Sequence, residues 1–147
     1  MALTMTKDER EKFLMDTHIG VLSIAEGERG PLTVPVWYQY EPGGELRFTS
    51  EKNSRKATAL ARVKRISLCA QSEAPPYRYV SVEGTILSIE PADLERDMRP
   101  MAHRYLGKGL GNYYVDNTRR HYVHGDAIVV RMRPERWLTL DYNKLFE

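Results

Sequence analysis

Phe48-Thr49-Ser50-Glu51-Lys52-Asn53-Ser54-Arg55-Lys56-Ala57 runs from the end of a strand through a polar loop into the start of a helix. A short strand is expected over 45–50, and a helix over 54–63, where Ala57, Leu60 and Ala61 have i, i+3, i+4 spacing. Thr49, Ser50 and Ser54 bring hydroxyl donors, Arg55 and Lys56 bring full charges, and the free N–H groups of a helix start carry partial positive charge. Together these groups suit a phosphate. The same residues also suit an ordinary cap, with Ser54 as N-cap and Arg55 and Lys56 on a solvated face. Cations in the first turn oppose the helix dipole, which favours a bound anion there.

Upstream, Thr6 and Glu9 have capping-box spacing before a short helix that carries Phe13, Leu14 and Met15. Two β-branched and aromatic runs, 18–25 and 32–40, flank the turn-forming residues 26–31 and predict a hairpin. Pro42-Gly43-Gly44 makes the next turn. Downstream, strands are expected over 65–71 and 79–90. A helical stretch over 91–106 should kink or split at Pro100, since proline lacks the N–H that a helix interior needs. Gly107, Gly109 and Gly111 predict a flexible loop, 112–122 a helix, and 127–132 and 137–142 two last strands on either side of Pro134. Six or seven short strands with few helices predict a mainly β, α+β domain spanning 1–147. Its antiparallel sheet would close into a barrel to remove its edges.

The chain has 147 residues, 41% hydrophobic and 29% charged, the balance of one domain with its own core. Lys and Arg number 22 against 20 Asp and Glu, so no broad basic field points to nucleic acid. Cys69 stands alone in the apolar run Ile66, Leu68, Ala70 and reads as a buried core thiol in a reducing compartment. The N-terminus turns polar at once, no stretch approaches a membrane span, and the expected location is the cytoplasm.

Other candidates are weaker. His121 and His124 lie three apart, but no acid or cysteine cluster completes a metal set, so no metal is assigned. Gly107-Lys108-Gly109-Leu110-Gly111 lacks the ending of a P-loop and reads as a flap or connector. Trp37, Tyr38 and Tyr40 lie on one strand, where neighbouring side chains face opposite sides and only one side is core. Tyr113, Tyr114 and Tyr122 have the chemistry to donate a proton or cover a planar substrate. No Ser-His-Asp or Cys-His set stands out, so no catalytic residue is nominated.

The run Phe48-Thr49 through Ser54-Arg55-Lys56-Ala57 resembles the flavin-phosphate segment of the pyridoxamine 5′-phosphate oxidase family. The likeness extends to Leu32-Thr33-Val34-Pro35-Val36-Trp37-Tyr38, to Val82-Glu83-Gly84-Thr85 and to Arg133-Pro134-Glu135-Arg136-Trp137, covering most of 7–142. Within that superfamily the strand Tyr79-Val80-Ser81-Val82-Glu83-Gly84-Thr85 and the turn Tyr105-Leu106-Gly107 look more like flavin/deazaflavin oxidoreductases of the B type, many of which use coenzyme F420. The resemblance implies a split-barrel homodimer acting on a small molecule, with F420, or alternatively FMN, in a groove at the subunit interface. Thr49, Ser50, Ser54, Arg55 and Lys56 would hold the phosphate. Pro35, Val36 and Trp37 would face the ring, and Tyr77, Arg78 and Tyr79 would approach from the partner. A basic track of Lys52, Arg55, Lys56, Arg62 and Arg78 would suit the carboxylates of an F420 tail. The chain departs from true pyridoxamine phosphate oxidases by ending at Asn143-Lys144-Leu145-Phe146-Glu147 without their basic terminal segment, so vitamin B6 oxidation is not expected. A carrier of F420 or FMN without catalysis is the alternative outside enzymes.

Overall fold

The computed structural model describes residues 2–147, with the side chain of His121 outside the described residues. Hairpins form where the turn residues place them. β1 (Gly20–Glu26) pairs with β2 (Arg29–Val36), and β3 (Gln39–Tyr40) with β4 (Leu46–Glu51). β5 (Arg65–Gln71), β6 (Arg78–Pro91) and β7 (Ala127–Asp141) complete an antiparallel sheet in the order β2-β1-β5-β6-β7-β4-β3. The outermost strands of that order, β2 and β3, are consecutive in the chain with only Trp37 and Tyr38 between them. So short a link draws the two edges of the sheet together. The result is the expected α+β split barrel, with its seam at Trp37-Tyr38.

Alternation along each strand selects the core. Leu22, Ile24, Phe48, Leu68, Val80, Val82 and Met132 point inward and are fully buried, each contributing about 1.5–3 kcal/mol by leaving water. In β5 the inward set is Ile66, Leu68 and Ala70, which leaves Cys69 on the outer face, half-buried. This corrects the expectation of a core thiol: in a strand, sharing an apolar run does not mean sharing a face. α1 (Lys7–Met15) carries the predicted capping box and buries Phe13 and Leu14 against the barrel.

β7 is one strand where two were expected. Pro134 pairs with Gly84 and Arg136 with Glu83, so Glu135 has no opposite residue and forms a bulge. Proline is tolerated at such a point because no ladder hydrogen is required of it. The Glu135 carboxylate substitutes for the ladder, accepting the Thr85 N–H at 2.8 Å and pairing with Arg65 at 2.9 Å. Opposite the bulge, a Cβ on Gly84 would lie 1.8 Å from the Arg133 carbonyl oxygen, so only glycine fits.

Between β6 and β7 the chain leaves the barrel as a helical insert: a π-helical turn (Leu94–Met98), α3 (Arg99–Leu106), α4 (Lys108–Thr118) and α5 (Arg120–Val123). Pro100 splits the stretch as expected, sitting in the first turn of α3 where its missing N–H is harmless. The glycine-rich loop is corrected. Gly107 alone, at φ +79°, breaks the helix, while Gly109 and Gly111 lie inside α4. Gly111 is small because a Cβ there would come within 3.0 Å of the Ala102 backbone, where α3 and α4 cross. Arg99 ties the crossing together by binding Glu95, Asn112 and Asp116. Met98, Ala102 and Val115 form a small second core with Trp37, Leu94 and Tyr122. Val129 and Val130 are both buried although they face opposite ways, so the insert covers the outer face of β7 here.

Candidate functional site

A groove of about 480 Å³ opens where the seam of the barrel meets the insert. Pro35, Val36 and Trp37 at the end of β2 line it, with Thr49 from β4, Lys56 from α2 (Arg55–Leu60), and Met98 and Tyr114 from the insert. A second cavity of about 290 Å³ shares Thr49, Lys56, Met98 and Tyr114 and adds Ser50 and Tyr122. Thr49 and Lys56 therefore lie where the two spaces meet, and Pro35, Val36 and Trp37 belong to the first alone.

Trp37 and Tyr38 fall in the link between β2 and β3 and not on the one strand expected with Tyr40, yet burial still alternates from Val36 to Tyr40 and decides which aromatic residue reaches the groove. Tyr38 and Tyr40 turn into the core, and the buried Tyr38 hydroxyl donates to the Leu14 carbonyl at 2.7 Å. Trp37 turns out. Its ring stacks on Tyr105 at 5.0 Å and 5°, and meets Tyr114 at 5.3 Å and 53°. The Tyr105 hydroxyl accepts the Tyr38 N–H at 3.0 Å and donates to the His18 carbonyl at 2.6 Å. The seam is thus held by a side chain from the insert, and one wall of the groove has a fixed, flat aromatic surface.

The polar side is divided. Lys56 is half-buried, and among the described residues it has no ion-pair partner. Burial lowers the pKa of its ammonium, and only the charge of Glu51 works against that. A half-buried cation without an acceptor is suited to an anion. Ser54 instead serves as the cap of α2, accepting the Ala57 N–H at 3.1 Å and donating to the Glu51 carbonyl at 2.8 Å. The Ser50 hydroxyl lies 3.0 Å from that of Ser54 and reaches the second cavity. Arg55 turns away to hold Glu26 with both its Nε, at 3.0 Å, and its Nη2. Arg29 and Arg62 act on the same carboxylate, so Arg55 and Arg62 gather around Glu26. Burial pushes the Tyr122 phenol up to about 12, against the smaller opposing influence of the Thr49 hydroxyl.

Of the eleven residues expected at the cofactor site, Pro35, Val36, Trp37, Thr49, Ser50 and Lys56 come together around these two cavities. Ser54 and Arg55 are engaged as described. Tyr77 immediately precedes β6, Arg78 and Tyr79 begin it, and none of the three lines either space. Arg78 lies over the Phe13 ring at 4.9 Å, and Tyr77 is 53% exposed. Sequence reading missed Ile19 and Met98 as lining residues and gave Tyr105 no role. A tyrosine in the last turn of a helix beside the Gly107 stop was the available signal for Tyr105. Nothing in the sequence marks the other two.

The family described as Pyridoxamine 5′-phosphate oxidase matches residues 6–141. Among solved structures, the conserved hypothetical protein Rv2991 from Mycobacterium tuberculosis is similar over 100% of this chain and 92% of its own, with 24% identity and a TM-score of 0.78. A protein described as an F420 reductase is similar over 87% and 94%, with 20% identity and a TM-score of 0.62. A FAD-binding protein from Mesorhizobium loti is similar over 92% and 94%, with 17% identity and a TM-score of 0.65. Identities this low speak for the fold alone. A search of curated proteins finds no match.

Proposed function

The chain belongs to the pyridoxamine 5′-phosphate oxidase family, and from that premise we propose that it is an oxidoreductase that binds coenzyme F420 and reduces an electron-poor, unsaturated small molecule. The observation that carries this reading is one groove joining a flat aromatic and apolar wall at Pro35, Val36 and Trp37 to an unpaired cation at Lys56. Its volume is that of an ordinary cofactor or ligand site. When bound, the cofactor supplies a planar ring able to transfer hydride. Trp37, fixed by Tyr105, orients that ring. Lys56 and the Thr49 hydroxyl hold the phosphate of the tail, and Met98 and Tyr114 exclude water from the opposite side. Tyr122 lines the second cavity together with Thr49. The F420 assignment draws on the resemblance of the strand Tyr79 to Thr85.

FMN is the second reading, and the Arg55–Glu26 pair favours it. With Arg55 occupied, Lys56 is the one unpaired cation lining the groove among the described residues, and it matches a single phosphate better than a tail bearing further carboxylates. In either case a second copy of the chain would cover the row Pro35, Val21, Cys69, Ser81 and Leu138, whose members pair in sequence across β2, β1, β5, β6 and β7 on the outer face. Pro35 belongs to both the row and the groove, so the partner's Tyr77, Arg78 and Tyr79 would complete the site. Among the described residues no helix is long and apolar enough to cross a membrane, and the cytoplasm, which holds reduced cofactors, is the proposed location.

Titration with F420 and, separately, FMN, followed by fluorescence, tests the reading. One cofactor should bind saturably, with Lys56→Gln weakening it about tenfold, the worth of one charge-assisted hydrogen bond, and Arg55→Gln changing it far less. Binding of neither cofactor, or indifference to Lys56→Gln, would overturn the proposal. Tight binding without reduction of any quinone or enoate offered would make the protein a carrier.

A further inference from the structure

A larger, polar concavity of about 590 Å³ borders α3 through Arg104. It shares no lining residue with the cofactor groove, yet Arg47 in its wall and Thr49 in the groove lie two residues apart on one face of β4. Three arginines converge on it from three elements: Arg47 from β4, Arg131 from β7 and Arg104 from α3.

Their pairing is incomplete. Arg47 and Arg131 stand directly opposite each other in the β4–β7 ladder, and like charges so placed destabilise a sheet unless counter-charge is supplied. Glu45 supplies it to Arg131, at 3.3 Å. Arg47 has only the neutral amide oxygen of Gln39, also at 3.3 Å. Arg104 donates to the Asp16 main-chain oxygen at 2.9 Å and lies over the Tyr38 and Tyr105 rings at 5.6 and 5.7 Å; its Nε is enclosed by protein, so what it offers the concavity is the remaining capacity of its Nη groups. Neither Arg47 nor Arg104 meets a carboxylate among the described residues. Two guanidinium groups without counter-charge, beside a third on the same wall, leave donor capacity that an oxyanion would fill through two-pronged, charge-assisted hydrogen bonds.

We propose that this concavity is a second binding site, for a compact oxyanion, a phosphate or carboxylate group held between Arg47 and Arg104. Glu41 and Glu45 in the wall restrict it to a small anionic head and provide acceptors for hydroxyl or ammonium groups on the same ligand. The site stands apart from the cofactor proposal, because Lys56 is not part of it.

Thermal unfolding of Lys56→Gln protein, in which the groove's affinity for anions is reduced, tests it. Inorganic phosphate and malonate are titrated separately at constant ionic strength, so that general screening does not contribute. A saturable rise in Tm is expected with at least one of them. Phosphate alone acting would assign a phosphate head, malonate alone a carboxylate. Adding Arg47→Gln should raise Tm in the absence of anion, by relieving the like-charge pair, and weaken anion binding about tenfold. Adding Arg104→Gln instead should weaken it similarly, which keeps the test open if one variant folds poorly. No saturable rise with either anion, or a rise of undiminished affinity in both added variants, would overturn the proposal.

Discussion

The Tyr105 hydroxyl accepts the Tyr38 N–H at 3.0 Å and passes its own hydrogen to the His18 carbonyl, so one side chain from the insert satisfies the backbone on both sides of the barrel seam. Replacing Tyr105 by Phe keeps the ring against Trp37 but strands these part-buried groups. The expected cost is about 1–3 kcal/mol, measurable as a lower urea midpoint, with little change in tryptophan fluorescence. Tyr105→Leu should alter both. A midpoint unchanged in Tyr105→Phe would mean that the hydroxyl does not hold the seam.

Leu138 is 63% exposed at the end of an outer-face row that also presents Val21 and Cys69. A large side chain so exposed suits a contact surface. Wild-type protein is expected to run as a dimer in light scattering, and Leu138→Glu as a folded monomer with weaker cofactor binding. A monomeric wild type with full cofactor affinity would remove the partner's Tyr77, Arg78 and Tyr79 from the site.

Two glycines should respond in opposite directions. Gly84→Ala forces a methyl against the Arg133 carbonyl oxygen and should cost about 3 kcal/mol or more. Gly109, inside α4 with open space around its would-be Cβ, should stabilise the protein by up to about 1 kcal/mol when changed to Ala. Chemical denaturation of the two variants makes the comparison.

Burial holds the His18 imidazole below its ordinary value of 6.5, against the smaller opposing effect of Asp16. Phe13 stacks on it at 4.2 Å, and its Nε2 is buried without a partner. A histidine with a depressed folded pKa binds fewer protons folded than unfolded. Stability is therefore greatest above 6.5 and falls as pH drops through 6.5 towards the folded value. Unfolding free energies across that interval should slope downward with acid in the wild type and less steeply in His18→Phe. Equal slopes would show that the imidazole protonates without cost in the folded protein.

The strands were legible where one face is core. β5 begins and ends where alternation places it, at Arg65 and Gln71. Boundaries failed where tertiary contacts override local chemistry. Pro134 reads as a strand break, and becomes harmless only because the Glu135 carboxylate, brought in by the bulge, takes the Thr85 N–H. Gly111 reads as loop, but the constraint on it comes from Ala102 on the neighbouring helix. The site shows the same division. Ser54, Arg55 and Lys56 are adjacent in sequence and chemically alike in purpose, yet a cap claims the first and Glu26, far away along the chain, claims the second. Only Lys56 is left to the groove. Met98 reaches it by way of the insert, whose position no local pattern encodes.

The insert leaves and rejoins the barrel at one spot: the Ala92 N–H donates to the Ala127 carbonyl oxygen at 2.9 Å. Its ends are therefore neighbours, and the pairing of β6 with β7 does not depend on the path of the chain between them. Met98, Tyr114 and Tyr122 all belong to this excursion, whereas Pro35, Trp37, Thr49 and Lys56 belong to the barrel and its flanking helix. A helical segment of another length or shape could be grafted across the Ala92–Ala127 junction and leave Thr49 and Lys56 in place, provided it kept a tyrosine where Tyr105 holds the seam and Trp37. Such grafting would recast the wall facing the substrate, separating the part of the molecule that sets the chemistry from the part free to diverge in what it acts upon.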